Sequence, residues 1–247
     1  MKPLNEKTAL VTGAAGTMGL AATRVLLEDG ARVAMVDLSE ARLMDVARGL
    51  QGEIMCLATD IRDANAVTEA HQQITEKFGA VDILVNNAGI LSNNKVSATT
   101  DEEWRQVLGV NLDGAFHWSR AVLPGMKSRR WGRIINVSSL AAKTGGLTAG
   151  TAYSVSKGAL SALTFSLARE SAAFGVTVNA ISPAYVNTPM VTEGLSEAQR
   201  VAILESIPVG RFCEPEEFAH VVRFLASPLA GFITGEIIDI NGGLLMD

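Results

Sequence analysis

Thr8-Ala9-Leu10-Val11-Thr12-Gly13-Ala14-Ala15-Gly16-Thr17-Met18-Gly19 begins as an apolar, β-branched run, turns through small residues, and enters the helical spacing of Met18–Asp29. A strand that feeds a helix through a glycine-rich turn opens a β-α-β unit. The alternation then repeats along the chain. Short apolar runs stand at Arg32–Asp37, Ile54–Ala58, Ile83–Asn86, Arg133–Val137, Thr177–Ile181 and Glu236–Ile240. Helical spacing fills the intervals at Ser39–Leu50, Ala64–Phe78, Glu102–Lys127, Tyr153–Phe174 and Pro215–Ala226. Runs such as Ile83-Leu84-Val85 are apolar on both faces, as strands covered from both sides must be.

This pattern predicts an α/β chain with a Rossmann-type doubly wound fold, about seven parallel strands with helices on both faces. At 247 residues, residues 1–247 fit one domain. A composition of 48% hydrophobic and 19% charged residues supports a packed core. The net charge of −5 disfavours a nucleic-acid partner, since phosphate-tracking proteins cluster Lys and Arg. The basic run Lys127-Ser128-Arg129-Arg130 reads first as a solvated helix end whose cations complement the helix dipole, and only secondarily as a docking patch. No apolar run reaches the roughly 18 residues of a membrane helix. The polar start Met1–Lys7 lacks a signal-peptide core, so a cytoplasmic location is expected. Cys56 and Cys213, like His71, His117 and His220, are scattered without ligand spacing, and no metal is expected.

Polar and glycine residues gather where the strands end: Gly13 after the first, Asp37 closing the second, then Asp60, Asn87, Ser139 and Pro183. Open α/β sheets bind ligands at that edge. The turn Gly13–Gly19 would let backbone amides approach a pyrophosphate at a positive helix end. Asp37, 18 residues beyond Gly19, is placed to accept from adenosine ribose hydroxyls. A 2′-phosphate there would meet a like charge, at a cost of about 4 kcal/mol for ~4 Å separation and an effective dielectric near ~20. No Arg or Lys at 14–17 or 38 offsets that repulsion, so NAD is the expected cofactor.

Tyr153-Ser154-Val155-Ser156-Lys157 puts a phenol and an ammonium on one helical face. A nearby cation stabilises a phenolate, whose acid otherwise ionises only near pH ~10. Together with the glycine turn, Asn86-Asn87-Ala88-Gly89, Asn111 and Ser138-Ser139 in this order, the pentad resembles the short-chain dehydrogenase/reductase family, and the match runs from Lys7 to Gly243. The resemblance implies a catalytic tetrad of Asn111, Ser139, Tyr153 and Lys157. In that reading Ser139 binds the reacting oxygen and Tyr153 exchanges the proton. Lys157 lowers the phenol pKa and holds the nicotinamide ribose, and Asn111 positions a water relay. It also implies that Gly13, Gly16, Thr17, Met18, Gly19, Asp37, Leu38, Asp60, Ile61, Asn87, Ala88 and Gly89 line the cofactor, with Pro183, Val186 and Thr188 at the nicotinamide end. A homotetramer is implied too, through the helices around Glu102–Lys127 and Tyr153–Phe174 and the C-terminal region.

Three positions depart from the family pattern. Thr17 stands where a glycine is usual, Ser139 and Tyr153 are 14 apart rather than one fewer, and Ala184 replaces the glycine after Pro183. The segment Thr188–Arg211 resembles a mobile substrate lid. Met190, Val191, Leu195, Ile203 and Leu204 within it fit a pocket lining or a packed core equally well. Tyr185 and Lys143 are the polar candidates near the reacting oxygen, and the tail Leu244–Asp247 is placed to reach a neighbouring pocket. The leading functional expectation is NAD-dependent oxidation of a secondary alcohol, polyol or sugar. Reduction of a 3-oxoacyl thioester is the alternative, with Arg129 and Arg130 meeting an acidic carrier protein. Asp37 weighs against it, because many such reductases use NADP. A non-catalytic NAD-sensing protein is disfavoured by the intact tetrad.

Overall fold

The apolar runs pair into one parallel sheet in the computed structural model, which describes residues 2–193 and 195–246, the side chain of Met190 excepted. Its strands are β1 (Thr8–Thr12), β2 (Arg32–Asp37), β3 (Ile54–Ala58), β4 (Ile83–Asn86), β5 (Gly132–Val137), β6 (Val176–Pro183) and β7 (Ile237–Ile240), in the order β3-β2-β1-β4-β5-β6-β7. The order reverses between β1 and β4, which register as Ala9↔Ile83, Leu10↔Leu84 and Val11↔Val85. A crevice opens there at the carboxyl ends of the strands.

The helices are α1 (Thr17–Glu28), α2 (Glu40–Ala47), α3 (Ala64–Phe78), α4 (Asp101–Leu108), α5 (Gly114–Arg129), α6 (Ala141–Thr144), α7 (Thr151–Ser171), α8 (Pro189–Thr192), α9 (Glu197–Ser206) and α10 (Pro215–Ala226). Alternate strand residues feed opposite cores. Val33 and Met35 join Leu26 of α1 and Phe218 of α10 on one face, while Ala34 and Val36 join Ile74 of α3, Trp118 of α5 and Leu167 of α7 on the other. Local signals set the boundaries. Asp63 caps α3 by accepting from the amides of Asn65 and Ala66, and Gly79, at φ +80°, stops it.

One predicted helix is not continuous. Glu102–Lys127 divides into α4 and α5 around a wide π-helical turn, Gly109–Asp113, whose extra residue rotates the following chain. Asn111 sits in that turn and is buried. A buried polar chain then fixes α7 on the sheet. Asn86 Nδ2 donates to Asn136 Oδ1 at 2.8 Å, and Asn136 Nδ2 donates to Thr164 Oγ1 at 2.9 Å. Asn136→Ala would remove one hydrogen bond from each partner, leaving Asn86 on Ser119 Oγ and Thr164 on Leu160 O, and a loss of about 2 kcal/mol is expected from urea denaturation. A loss below ~0.5 kcal/mol would show that the chain does not anchor α7.

Candidate active site

The turn between β1 and α1 is held tight. Gly13 adopts φ +63°, and a Cβ there would lie 2.9 Å from Ala88 Cα. A Cβ on Gly19 would overlap Gly13 O and stand 2.8 Å from Ala14 Cα. Asn87 closes the turn from β4, its Nδ2 donating to Thr12 O at 2.9 Å and Gly13 O at 3.2 Å. The amides of Asn87 and Ala88 both donate to Thr12 Oγ1. The first amides of α1, at Thr17, Met18 and Gly19, lack intrahelical acceptors and lie along an open cavity of about 500 Å³. That cavity is lined by Gly13, Gly16, Thr17, Met18, Gly19, Asp37, Leu38, Asp60, Ile61, Asn87, Ala88, Gly89 and Thr188, all read from the sequence as cofactor positions. Its size, its free amides and its terminal carboxylate fit a dinucleotide.

Asp37 has two contacts. Its Oδ2 accepts from Ala15 N at 3.1 Å and its Oδ1 from Leu38 N at 2.8 Å, so the carboxylate braces the glycine turn as well as facing the cavity. Leu38 is 66% exposed, an apolar surface available to a flat base. Asp60 is paired with Arg62 at 2.6 Å, and that guanidinium holds its carboxyl below the usual range. The Ile61 side chain is buried against Gly114. Sequence reasoning missed Arg42, which lines the same cavity with its guanidinium donating to Ala15 O at 3.3 Å. It lies one helical turn beyond the positions searched for cations.

Ser139 after β5, Tyr153 and Lys157 on α7, and Asn111 in the π-helical turn come from three separate segments and meet at the inner end of the cleft. Burial pushes the Tyr153 phenol up, and a hydrogen bond with Ser139 works against that shift. Lys157 Nζ donates to Val137 O at 2.7 Å and stands 5.7 Å from the Tyr153 ring centroid. Burial brings its ammonium down to about 8. Desolvation is the largest influence on the phenol, and the Lys157 ammonium expected to lower it is held by the Val137 carbonyl. Asn111 Oδ1 accepts from Ile90 N at 2.8 Å, and its Nδ2 donates to Ile90 O and Ser156 Oγ, each at 3.0 Å. A Cβ on Gly89 would come within 3.2 Å of Lys157 Nζ and 3.3 Å of Asn111 Oδ1, so the small residue admits both side chains.

A second cavity of about 360 Å³ adjoins Ser139 and Tyr153. Leu91, Leu140, Leu147, Val191 and Leu195 supply apolar walls, Asn93, Thr148, Tyr185 and Gln199 supply polar ones, and among the described residues no lining side chain is charged. Of the lid residues, Val191 and Leu195 line this cavity, whereas Ile203 is buried with Ile207 and Phe212, and Leu204 packs on them. Gly194 and the Met190 side chain lie outside the described residues. Pro183 and Val186 do not line either cavity: Pro183 O accepts from Leu140 N, and Val186 bridges to Cys213, so both support the wall that Ala184 and Tyr185 form. Lys143 turns from the cavity to Asp239, 2.5 Å away. Leu244 and Leu245 are held in their own chain, Leu244 against the Ile203 cluster and Leu245 O by Asn241, while Asp247 lies outside the described residues. Arg129 binds Val81 O and Asp82, before β4 begins, so the basic run lies at the opposite edge of the sheet from Ser139. Among the described residues no cluster of metal-ligating side chains forms, and no helix is long and apolar enough to cross a membrane.

A family model described as "Enoyl-(Acyl carrier protein) reductase" matches residues 13–245. The 3-oxoacyl-[acyl-carrier-protein] reductase of Vibrio cholerae is 41% identical over 244 residues, covering 98% of this chain and 99% of that protein. Its Thermotoga maritima counterpart is 38% identical over 246 residues, at 98% and 99% coverage. This chain belongs to the short-chain dehydrogenase/reductase family. It is an oxidoreductase that acts on carbonyl or CH–OH groups of a small molecule with a nicotinamide cofactor. Two solved short-chain dehydrogenase/reductase structures from Brucella melitensis share the fold. A 3-oxoacyl-[acyl-carrier protein] reductase has a TM-score of 0.93 at 34% identity, covering 100% of this chain and 94% of its own. A glucose/ribitol dehydrogenase has 0.92 at 32% identity, covering 100% of both.

Against the family pattern the three departures are accommodated locally. Thr17 is exposed at the first position of α1, where the side chain leaves the turn undisturbed. Ala184 needs no glycine, since Glu6 and Arg130 are the described non-glycine residues with positive φ. The longer Ser139–Tyr153 interval turns through Gly145 and Gly146, at φ +73° and +84°. A phenol raised above its ordinary 10 carries less phenolate at neutral pH than free tyrosine does. The chain has two tyrosines, so an ultraviolet phenolate titration of cofactor-free protein against Tyr153→Phe isolates this group. The component lost in the variant is expected to titrate above pH 10; one titrating below it would refute the burial argument.

Proposed function

We propose that this chain reduces the 3-oxo group of a 3-oxoacyl thioester to the 3-hydroxy group with NADH, as one catalytic domain spanning 1–247 with a lid at about 188–211. The observation that carries this reading is the cavity beside Ser139 and Tyr153, whose Leu91, Leu140, Leu147, Val191 and Leu195 walls suit an acyl chain, while Asn93, Thr148, Tyr185 and Gln199 give the thioester end polar partners. The three 3-oxoacyl-[acyl-carrier-protein] reductases named above support the same choice and move the balance away from the secondary alcohol, polyol or sugar first expected, while the glucose/ribitol dehydrogenase keeps polyol or sugar oxidation as the second reading.

Bound NADH supplies the hydride to the carbonyl carbon. Ser139 holds the carbonyl oxygen, and Tyr153 delivers the proton that completes the hydroxyl. Lys157, beside Gly89, is placed to hold the nicotinamide ribose and to keep positive charge near the phenolate that proton transfer leaves. Asn111, fixed to Ile90, orients the water path that reprotonates Tyr153. Asp37 favours NAD by meeting the ribose hydroxyls and repelling a 2′-phosphate, while Arg42 in the same cavity offsets part of that repulsion.

The exposed apolar residues Trp104, Phe116 and Phe165 on α4, α5 and α7, with Leu229 and Phe232 near the C-terminus, support self-association, which we propose to be a homotetramer; a cytoplasmic location belongs to the same proposal. The basic run at the far edge of the sheet gives no support to a carrier protein docked on Arg129 and Arg130 over the pocket of the same chain.

Purified protein with NADH and acetoacetyl-CoA, run beside NAD with polyols, sugars and secondary alcohols, tests the substrate class. Turnover of the thioester is expected, with Tyr153→Phe reducing kcat by about 10²–10⁴. Selective turnover of a sugar or polyol would return polyol or sugar oxidation to first place. For the cofactor, Asp37→Ala should raise the ratio of NADP to NAD efficiency by about tenfold or more. An unchanged ratio would remove Asp37 as the selecting charge.

A further inference from the structure

The rim of the substrate cavity is fastened by a side chain that none of the family motifs includes. Leu147, Thr148 and Ala149 form part of one wall, and Leu91 and Asn93 line the same cavity. Lys95 joins the two segments: its Nζ donates to Ala149 O at 2.7 Å and to Gly146 O at 2.9 Å. Backbone bonds run parallel to it, Gly150 N to Ser92 O at 2.6 Å and Thr151 N to Asn94 O at 3.0 Å. Gly150 has no space for a side chain, since a Cβ there would lie 2.7 Å from Asn94 N. Glu103, in the first turn of α4, holds the other side of the joint by accepting from Ser92 Oγ and, at 2.8 Å, from Asn94 Nδ2. Lys95 is exposed, yet among the described residues it pairs with no carboxylate, and its donors go to two rim carbonyls. Hydrogen bonds with a charged donor are roughly twice as strong as neutral ones.

We infer that Lys95 is a positioning residue that sets the shape of the substrate cavity by clasping the Gly146–Thr151 rim to the segment after β4. The clasped rim includes the stretch lengthened by one residue and leads directly into α7 and Tyr153. Thr148 Oγ1 also meets Tyr185 Oη at 3.2 Å across the cavity, so the position of the rim decides how closely that opening is bridged. Lys95 thereby acts on substrate fit and leaves the dinucleotide cleft unaffected.

The choice of substrates below rests on the thioester reading, and the exchange measurement does not. In the full-length protein, Lys95→Met is expected to raise KM for acetoacetyl-CoA by about tenfold, with kcat and KM for NADH changed less than about twofold. The preference between acetoacetyl-CoA and 3-oxooctanoyl-CoA should change with it, and Lys95→Arg should restore most of both. Hydrogen–deuterium exchange of the 146–151 amides should accelerate by about tenfold in Lys95→Met, with the 13–19 amides unchanged. Unaltered exchange at 146–151 overturns the clasp whatever the substrate, and exchange raised equally in both segments would mark general destabilisation and overturn it too. An unmoved KM and chain-length preference in a protein that turns over these thioesters overturns the role in substrate fit. If wild-type protein reduces neither thioester, the functional reading falls, and exchange alone decides the clasp.

Discussion

The structure depends on a constraint at the junction of β1 and β4, where neighbouring strands send their chains to opposite faces of the sheet. Backbone groups at such a divergence lose their ladder partners and must find others. Here one side chain from each strand supplies them. Thr12 Oγ1 receives the amides of Asn87 and Ala88, and the Asn87 side-chain amide returns to the carbonyls of Thr12 and Gly13. The divergence stays open as a cleft because its polar edges are satisfied across the gap and not by closing it.

The reacting end of the cleft has a different foundation. α7 carries Tyr153 and Lys157 and is tied to the sheet by polar contacts as well as apolar packing, Ser138 Oγ donating to Lys157 O and Lys157 Nζ to Val137 O. The chain Asn86–Asn136–Thr164 supplies direction as well as contact. It fixes the helix beneath a buried ammonium whose burial favours the neutral amine. Such a group persists where the surrounding scaffold is rigid enough to keep it from water.

The alternation of apolar runs made the sheet legible from sequence, and Ile54–Ala58, Ala64–Phe78 and Pro215–Ala226 carry the same limits in the structure. Most of the residues that line the larger cleft were legible because glycine and aspartate are poor strand formers, so their gathering at strand ends marks an edge shaped for a ligand. The π-helical turn was not. Gly109–Asp113 has ordinary helical composition, and its extra residue depends on tertiary contacts between Asn111, Ile90 and Ser156. Pro183 and Val186, assigned to the cofactor cleft by resemblance, are not among the residues that line either cavity and lie in sequence beside Ala184 and Tyr185, which line the smaller one. Arg42 escaped because a cation in the first turn of a helix looks like any solvated residue until the fold brings that turn over Ala15. Lys143 drew attention for its nearness to Ser139 in sequence, but an acid from β7 claims it.

The double contact of Asp37 couples two properties that a designer or an evolving lineage would wish to vary separately. The carboxylate that lines the cleft, and that the proposed reading sets against the ribose, also supports the amide of Ala15, so the sign of charge at that edge and the rigidity of the glycine turn are carried by the same group. A neutral residue without an acceptor would admit a new phosphate into a loosened cradle. Retargeting this protein to the other dinucleotide therefore runs through side chains that keep an oxygen at that point, such as asparagine or serine, and the route is narrower than charge alone would suggest.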